Sequence, residues 1–209
     1  MADQWNHNIH YHPVVLAAIP SRCDSALDVG CGTGLLTRKL SAVVPHVTGV
    51  DRDEQSITIA RSLAGPASGI EYLHGDFRHL PLEAGSFGLV TAVASLHHMD
   101  AAAALTRMRE LLRPGGVLVV IGLARIGRSP RDLAPELPAV VANQVLLARH
   151  RVSRRHARAS TGYQPPVVWP PAETYGDIRR IAGGLLPGMR YRRHLLWRYS
   201  IRWEKPGGA

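Results

Sequence analysis

An α/β sheet of five parallel strands, finished at one edge by an antiparallel hairpin, is the fold this sequence predicts. Three observations carry it. Short apolar runs alternate with stretches of helical spacing from Ala26 to Ile121, a glycine-rich turn follows the first run, and the last stretch alternates apolar and polar residues. Strand–helix alternation calls for a parallel sheet with helices on both faces, joined by right-handed crossovers.

The elements follow in order. Pro13 to Ile19 reads as an apolar helix opened by proline at an early position. Ala26–Val29 is a short buried strand ending in glycines. Leu35 to Val44 has helical spacing and stops before Pro45. His46–Val50 is a second strand ending at Asp51, and Asp53 caps a helix running to Leu63. Ile70–His74 and Phe87–Val93 are the third and fourth strands, and Asp100 caps an alanine-rich helix ending at Leu112. Val117–Ile121 is the fifth strand, fully apolar. Residues 125–171 are rich in arginine and proline and predict a short helix bracketed by loops. Ala172 to Leu186 is helical again, and Met189–His194 with Leu196–Glu204 form two strands with a tight connection. In the second, Trp197, Tyr199, Ile201 and Trp203 share the buried face.

Composition bounds the function. The 209 residues suit one domain with a modest insertion. No apolar run approaches the roughly 18–20 residues that span a bilayer, and Met1–Trp5 lacks the pattern of a signal peptide, so the expected location is the cytoplasm, without membrane partners. Cys23 and Cys31 are too few for a disulfide framework. The formal charge of +9 is almost all arginine, Lys39 and Lys205 being the two lysines. The charge concentrates after about residue 125, notably in Arg149–Arg158 and Tyr191–His194, and the arginine-rich stretch has no neighbouring aromatic until Tyr163, so it lacks the interleaving of a single-strand binder, which argues against nucleic acid as a partner.

In an open α/β sheet, ligands bind outside the carboxyl ends of the strands, near the switch in strand order. The informative residues fall there. Asp28-Val-Gly-Cys-Gly-Thr-Gly34 follows the first strand and opens a helix, with glycines at 30, 32 and 34 and Cys31 between the first two. A dinucleotide fingerprint would put its third glycine at 35, which is Leu. Asp51, at the end of the second strand, can accept hydrogen bonds from both ribose hydroxyls. Asp76, after the third strand, can accept from an adenine amino group. A glycine turn and two strand-end carboxylates, without a phosphate-binding lysine, describe a site for a phosphate-free nucleoside.

Leu27–Gly34, Gly49-Val-Asp51, His74-Gly-Asp76, Phe87–Val90, Ser95-Leu-His-His-Met99 and Leu112-Arg-Pro-Gly-Gly116 together resemble the class I S-adenosylmethionine-dependent methyltransferases, in the small-molecule branch that includes the menaquinone and ubiquinone enzymes. The resemblance covers residues 25–122. It implies a Rossmann-like, doubly wound sheet of seven strands and S-adenosyl-L-methionine as methyl donor, with S-adenosyl-L-homocysteine as product. It further implies that Asp28 and the turn of Gly30, Cys31, Gly32 and Gly34 hold the methionine part. Asp51, with Arg52 beside it, would hold the ribose, Asp76 and Phe77 the adenine, and Ala94 would lie beside the sulfonium. The single domain divides accordingly into an amino-terminal lid (1–24), a cofactor core (25–122), an acceptor-side insertion (123–171) and a last helix with its hairpin (172–209).

Methyl transfer from a sulfonium is an in-line displacement, so the protein's main work is alignment and exclusion of water. His97 and His98 stand at the mouth of this site as catalytic candidates, as a base or a substrate contact, beside an alternative role in shielding the cofactor. Trp5, His7, His10, Tyr11 and His12 form an unusual opening segment, which the resemblance implies is part of a lid over the cofactor, with Tyr11 and His12 as its contacts to donor or acceptor. That reading is preferred to a metal site, because no carboxylate or cysteine lies at ligand spacing nearby. The arginine-rich stretch suits an anionic acceptor. The predicted activity is methylation of a small-molecule oxygen, nitrogen or carbon nucleophile in a biosynthetic or secondary-metabolic pathway. Methylation of RNA or protein is one alternative, and a catalytically inactive cofactor-binding partner is another. Oligomeric state and acceptor identity stay open at this point.

Overall fold

The computed structural model describes residues 8–65, 69–127, 144, 170–194 and 197–207. Seven strands form one sheet: β1 (Ser25–Val29), β2 (His46–Asp51), β3 (Ile70–His74), β4 (Phe87–Val93), β5 (Leu112–Leu123), β6 (Arg190–His194) and β7 (Arg198–Glu204). Their order is β3-β2-β1-β4-β5-β7-β6. The first five are parallel, and β7 runs antiparallel between β5 and β6. The chain leaves β1 in one direction for β2 and β3, and later returns to the other side of β1 as β4. The switch point therefore lies between β1 and β4, which makes a crevice at their carboxyl ends.

Five helices accompany the strands among the described residues: α1 (His12–Leu16), α2 (Leu35–Ser41), α3 (Glu54–Leu63), α4 (Ala101–Leu111) and α5 (Tyr175–Leu185). Their starts are written in polar side chains. Asp53 and Asp100 accept from the backbone N–H groups of Ser56 and Ala103, at 2.7 Å each. Thr174 and Asp177 close a reciprocal capping box at the start of α5. The end of α4 is held by a cation, since Lys205 Nζ donates to the carbonyls of Arg109 and Leu112 at 3.0 and 2.6 Å.

Two apolar layers sandwich the sheet. One packs Leu105, Met108 and Leu111 of α4 and Ile178 and Ala182 of α5 against Leu118, Val120, Tyr199 and Ile201. The other packs Val15 of α1 and Leu36 and Leu40 of α2 against Leu89, Val119 and Ile121. Val117 to Ile121 alternate between the two layers, so every residue of that run is buried, as its continuous apolar character requires.

Several boundaries differ from the sequence reading. The first helix is short, a 3-10 turn over Ile9–Tyr11 leading into α1. Helix α2 stops at Ser41, and Val43 and Val44 instead donate to the Leu40 carbonyl as the chain turns toward Pro45. Strand β5 begins at Leu112, because that residue already pairs with Phe87 before an irregularity near Arg113-Pro-Gly-Gly. Trp197 does not join the buried face of the last strand. It sits in the hairpin connection with φ +54°, and β7 begins at Arg198. The opposite face of β7 is not wholly solvated either: Arg198 and Ser200 are buried. The amino-terminal turn covers this end of the strand, where Asn8 Oδ1 accepts from Arg198 Nη2 at 3.0 Å and the Tyr11 ring lies 5.3 Å from that of His194. The helix expected within 125–171 lies mostly outside the described residues.

Candidate active site

The turn after β1 is fastened to β2 by its backbone. Gly30 and Cys31 both donate to the Val50 carbonyl, at 2.7 and 3.0 Å. Gly32 donates to Asp51 Oδ2 at 2.8 Å, and the other carboxylate oxygen accepts from the Asp53 N–H at 2.9 Å. All three glycines have left-handed φ, from +53° to +75°, where a Cβ is strained. Space divides them further. A Cβ on Gly30 would stand 2.3 Å from Ser95 Cβ, and one on Gly34 would stand 2.2 Å from the Tyr72 hydroxyl. A Cβ on Gly32 would meet nothing within 4 Å. Two glycines are thus closed in by the protein, and the middle one faces the open crevice.

Behind the turn, Asp28 is buried and accepts from Thr37 Oγ1 of α2 at 2.7 Å. Burial, reinforced by the nearby Asp51 charge, pushes its carboxyl up to about 7. Cys31 packs under the turn toward Gly49, and burial pushes its thiol far up, so it serves as a neutral packing group. Asp76 is held by Arg78, with Nη2 to Oδ2 at 2.6 Å and Nε to both oxygens, and this pairing draws its carboxyl down to about 2. Arg52 is exposed and adds a weaker pull on the same carboxylate. Phe77 is buried, in the core cluster that includes Val50, Val90 and Leu96.

Across the crevice, β4 ends in a strained residue. Ala94 has φ +54° while its N–H donates to the Ile121 carbonyl at 2.7 Å. A left-handed non-glycine at a switch point is backbone strain held in place by surrounding structure. It lets Ser95 fold back to donate to the Val29 carbonyl at 2.6 Å and starts the 3-10 turn Leu96–His98. The two histidine rings lie 4.0 Å apart. His97 Nδ1 is buried and has no hydrogen-bond partner among the described residues. Burial, with smaller pushes from His98 and Arg198, lowers His97 to about 4. His98 is exposed on the rim. Partial desolvation lowers it too, against the opposing pull of Asp51.

The opening segment is split. Trp5 and His7 lie outside the described residues, His10 is exposed, and Tyr11 and His12 are buried against the hairpin end of the sheet. Burial raises the Tyr11 hydroxyl to about 12. No group of three or more metal-ligating side chains forms among the described residues. Arg198, whose charge reaches both Tyr11 and His97, was not singled out from the sequence. Its only signal there was its place opposite Tyr199 and Ile201 in the alternating last strand. Ser95, Thr37 and Tyr72, which brace the turn, had no sequence signal beyond their neighbourhood.

A glycine turn, a β2-end carboxylate and an open crevice at the sheet's switch point define a nucleoside-binding α/β protein. Comparison with known proteins makes the class specific. The methyltransferase-domain family matches residues 27–120. An uncharacterized methyltransferase of Mycobacterium tuberculosis is 32% identical over 209 residues, covering 99% of this chain and 100% of the relative. A demethylmenaquinone methyltransferase of Staphylococcus aureus is 39% identical over 100 residues, 46% of this chain and 42% of its own. The crystal structure of an S-adenosylmethionine-dependent methyltransferase from Aquifex aeolicus has the same fold, with a TM-score of 0.59 at 14% identity over 92% of this chain and 88% of that one. The chain belongs to the class I S-adenosylmethionine-dependent methyltransferases.

The residues fit that donor. Each Asp51 oxygen takes one backbone N–H and keeps lone-pair capacity for a ribose hydroxyl. The open side of Gly32 leaves room beside the turn, and no lysine stands among these groups to demand a phosphate.

Two outcomes test this geometry. Gly30→Ala drives a Cβ into Ser95 and strains the turn, so calorimetric affinity for S-adenosylhomocysteine drops at least about tenfold, equivalent to ~1.4 kcal/mol. Unchanged affinity would show that the turn does not shape the pocket. Asp28 keeps its proton in the folded protein to about pH 7, but in the unfolded chain only to about pH 4. The folded state therefore holds more protons across that window and loses stability as pH rises through it. Asp28→Asn removes this titration, so its urea midpoint relative to wild type climbs from about pH 4 to about pH 8. A difference that stays flat with pH would mean the native carboxyl titrates normally.

Proposed function

We propose that the protein transfers a methyl group from S-adenosylmethionine to an oxygen, nitrogen or carbon nucleophile of a small molecule, in a biosynthetic or secondary-metabolic step. The observation that carries the reading is the crevice between the Gly32 turn and the Ala94–His98 turn. One wall carries a nucleoside-binding carboxylate and the other a neutral imidazole whose buried Nδ1 has no hydrogen-bond partner among the described residues. The bound donor supplies an electrophilic methyl group on a sulfonium, so the chain's residues need only bind, orient and exclude water.

Asp51 accepts from the ribose hydroxyls, with exposed Arg52 beside it, and the glycine turn with Asp28 behind it lines the methionine end. Asp76 offers the adenine amino group whichever lone pairs Arg78 leaves, and Phe77 meets the adenine through its backbone. Strained Ala94 sets where β4 gives way to the histidine turn, and that fixes the distance between the two walls. His97 stays neutral at physiological pH because its acid form is disfavoured by burial. Its unprotonated ring nitrogen is the acceptor for the O–H or N–H of the incoming nucleophile. A conjugate acid near 4 makes it a weak base. It therefore aligns a nucleophile that already carries negative charge, or loses its proton readily, better than it deprotonates an alcohol. His98 shields the rim, and Trp5, His7, His10, Tyr11 and His12 form the covering segment.

The small-molecule reading is supported by the likeness to the staphylococcal demethylmenaquinone methyltransferase, although this chain spans less than half of that relative. It suits a soluble enzyme of the cytoplasm. The arginine-rich residues 149–158, outside the described structure, favour an acceptor bearing a carboxylate or similar anion.

The test combines binding and turnover. Asp51→Ala weakens S-adenosylhomocysteine roughly 10- to 100-fold, the loss of charge-assisted hydrogen bonds worth about 1.5–3 kcal/mol. With a radiolabelled methyl donor, a panel of phenols, carboxylic acids, amines, bulk RNA and protein gives incorporation into the small molecules. Label in RNA or protein alone would overturn the proposal. His97→Ala keeps donor affinity and lowers turnover of the responsive acceptor by about 10²-fold. If donor affinity and turnover fall together, His97 belongs to the cofactor wall.

A further inference from the structure

At the opposite end of the sheet, where the parallel strands begin, lies a second concavity of about 830 Å³. It is far along the strands from Asp51 and Gly32, and the activity proposed above makes no use of it. Its lining includes the loop before β1, the Arg113-Pro-Gly turn of β5 and the far end of β7. Part of this wall is rigid and neutral. Arg113 Nη1 pairs with Asp24 Oδ1 at 2.7 Å, and its other nitrogen donates to the Arg22 carbonyl.

The rest is strongly basic. Arg202 lines the concavity from β7, and Arg190 stands directly opposite it on β6, in the antiparallel register Arg190↔Arg202. Two like charges at directly paired positions repel and weaken the ladder, so such a pairing is an unfavourable choice for a hairpin. Both side chains belong to exposed residues, as does Arg22 on the facing loop. Among the described residues, none of these three arginines makes an ion pair. Asp24 is already neutralised by Arg113, and Glu204 offsets one of the three, so an excess of positive charge remains.

We propose that this concavity binds a small phosphate-bearing anion, held by Arg202 from β7 and Arg22 from the loop before β1, with Arg190, paired beside Arg202 on β6, adding its charge from outside the lining. Guanidinium forks match the oxygen geometry of a phosphate, and a multiply charged group relieves the repulsion between paired arginines as a single carboxylate does not. Glu204, two residues from Arg202 on the same strand face, keeps the anion toward the Arg190 side and leaves an acceptor for a hydroxyl of the ligand. The size of the concavity admits more than a bare phosphate, since small-molecule sites run to roughly 300–1,000 Å³.

Pyrophosphate is the probe, titrated calorimetrically into the full chain. The expected result is saturable binding at one site, weakened at least about tenfold by the double substitution Arg190→Gln, Arg202→Gln. S-adenosylhomocysteine affinity is unchanged in that variant, and Asp51→Ala leaves pyrophosphate binding intact, which separates the two ends of the sheet. A second measurement needs no ligand. Relief of the like-charge pair raises the thermal midpoint of Arg202→Gln above wild type at low salt, and pyrophosphate narrows that gap by stabilising wild type alone. Absence of saturable heat at ~10 mM pyrophosphate would overturn the proposal. So would binding that survives the double substitution, which would assign it to the arginine-rich segment instead.

Discussion

Three successive backbone N–H groups, those of Gly30, Cys31 and Gly32, point from the end of β1 toward β2 and are received there by the Val50 carbonyl and the Asp51 carboxylate. A chain leaving a parallel strand for a helix must turn sharply and leaves donors that the sheet can no longer pair. Here the neighbouring strand takes them up, and in doing so it holds the Asp51 carboxylate at the crevice. The glycines follow from this constraint, because the backbone is left-handed at positions 30, 32 and 34 and two of them are pressed against Ser95 and Tyr72. Helix α2 begins at Gly34 with its register already set, which places Thr37 over Asp28.

The same arrangement sets the electrostatics of the crevice. Asp28 and Asp51 belong to adjacent strands, one buried and one at the surface of the crevice. Burial, reinforced by the Asp51 charge, pushes the inner carboxyl toward neutrality. On the far wall, His97 is kept uncharged by its surroundings. With the Asp76 carboxylate paired to Arg78 and the imidazole neutral, the crevice is polar but lightly charged.

Much of this was legible in the sequence. Five parallel strands, the caps at Asp53 and Asp100, the antiparallel hairpin and the sequence positions of the glycine turn and Asp51 all follow from periodicity and punctuation, and each is local in origin. What was not legible is tertiary. Helix α2 ends early because its last turn gives way to the bend at Pro45, and Trp197 leaves the strand because the hairpin connection takes a left-handed residue. Asp76 reads as an open acceptor until Arg78, two residues away, folds back on it. Arg198 and Ser200 read as solvent-facing in an alternating strand, yet both are buried, Arg198 against the amino-terminal turn about 190 residues away in sequence and Ser200 beside His194. A pattern with period two reports which residues share a face; it does not report what later packs on that face.

The order of the last two strands has a consequence for how the molecule is made. β7 follows β6 in the chain but precedes it in the sheet, lying between β5 and β6. β6 is therefore joined to the sheet only through β7, and in the folding chain β5 keeps a long, apolar, unpaired edge until β7 arrives from about 80 residues downstream. Non-local pairing of this kind is slow, and an open edge invites intermolecular pairing in the interval. Repulsion along the arginine-studded hairpin disfavours early self-association of the segment that must close this edge.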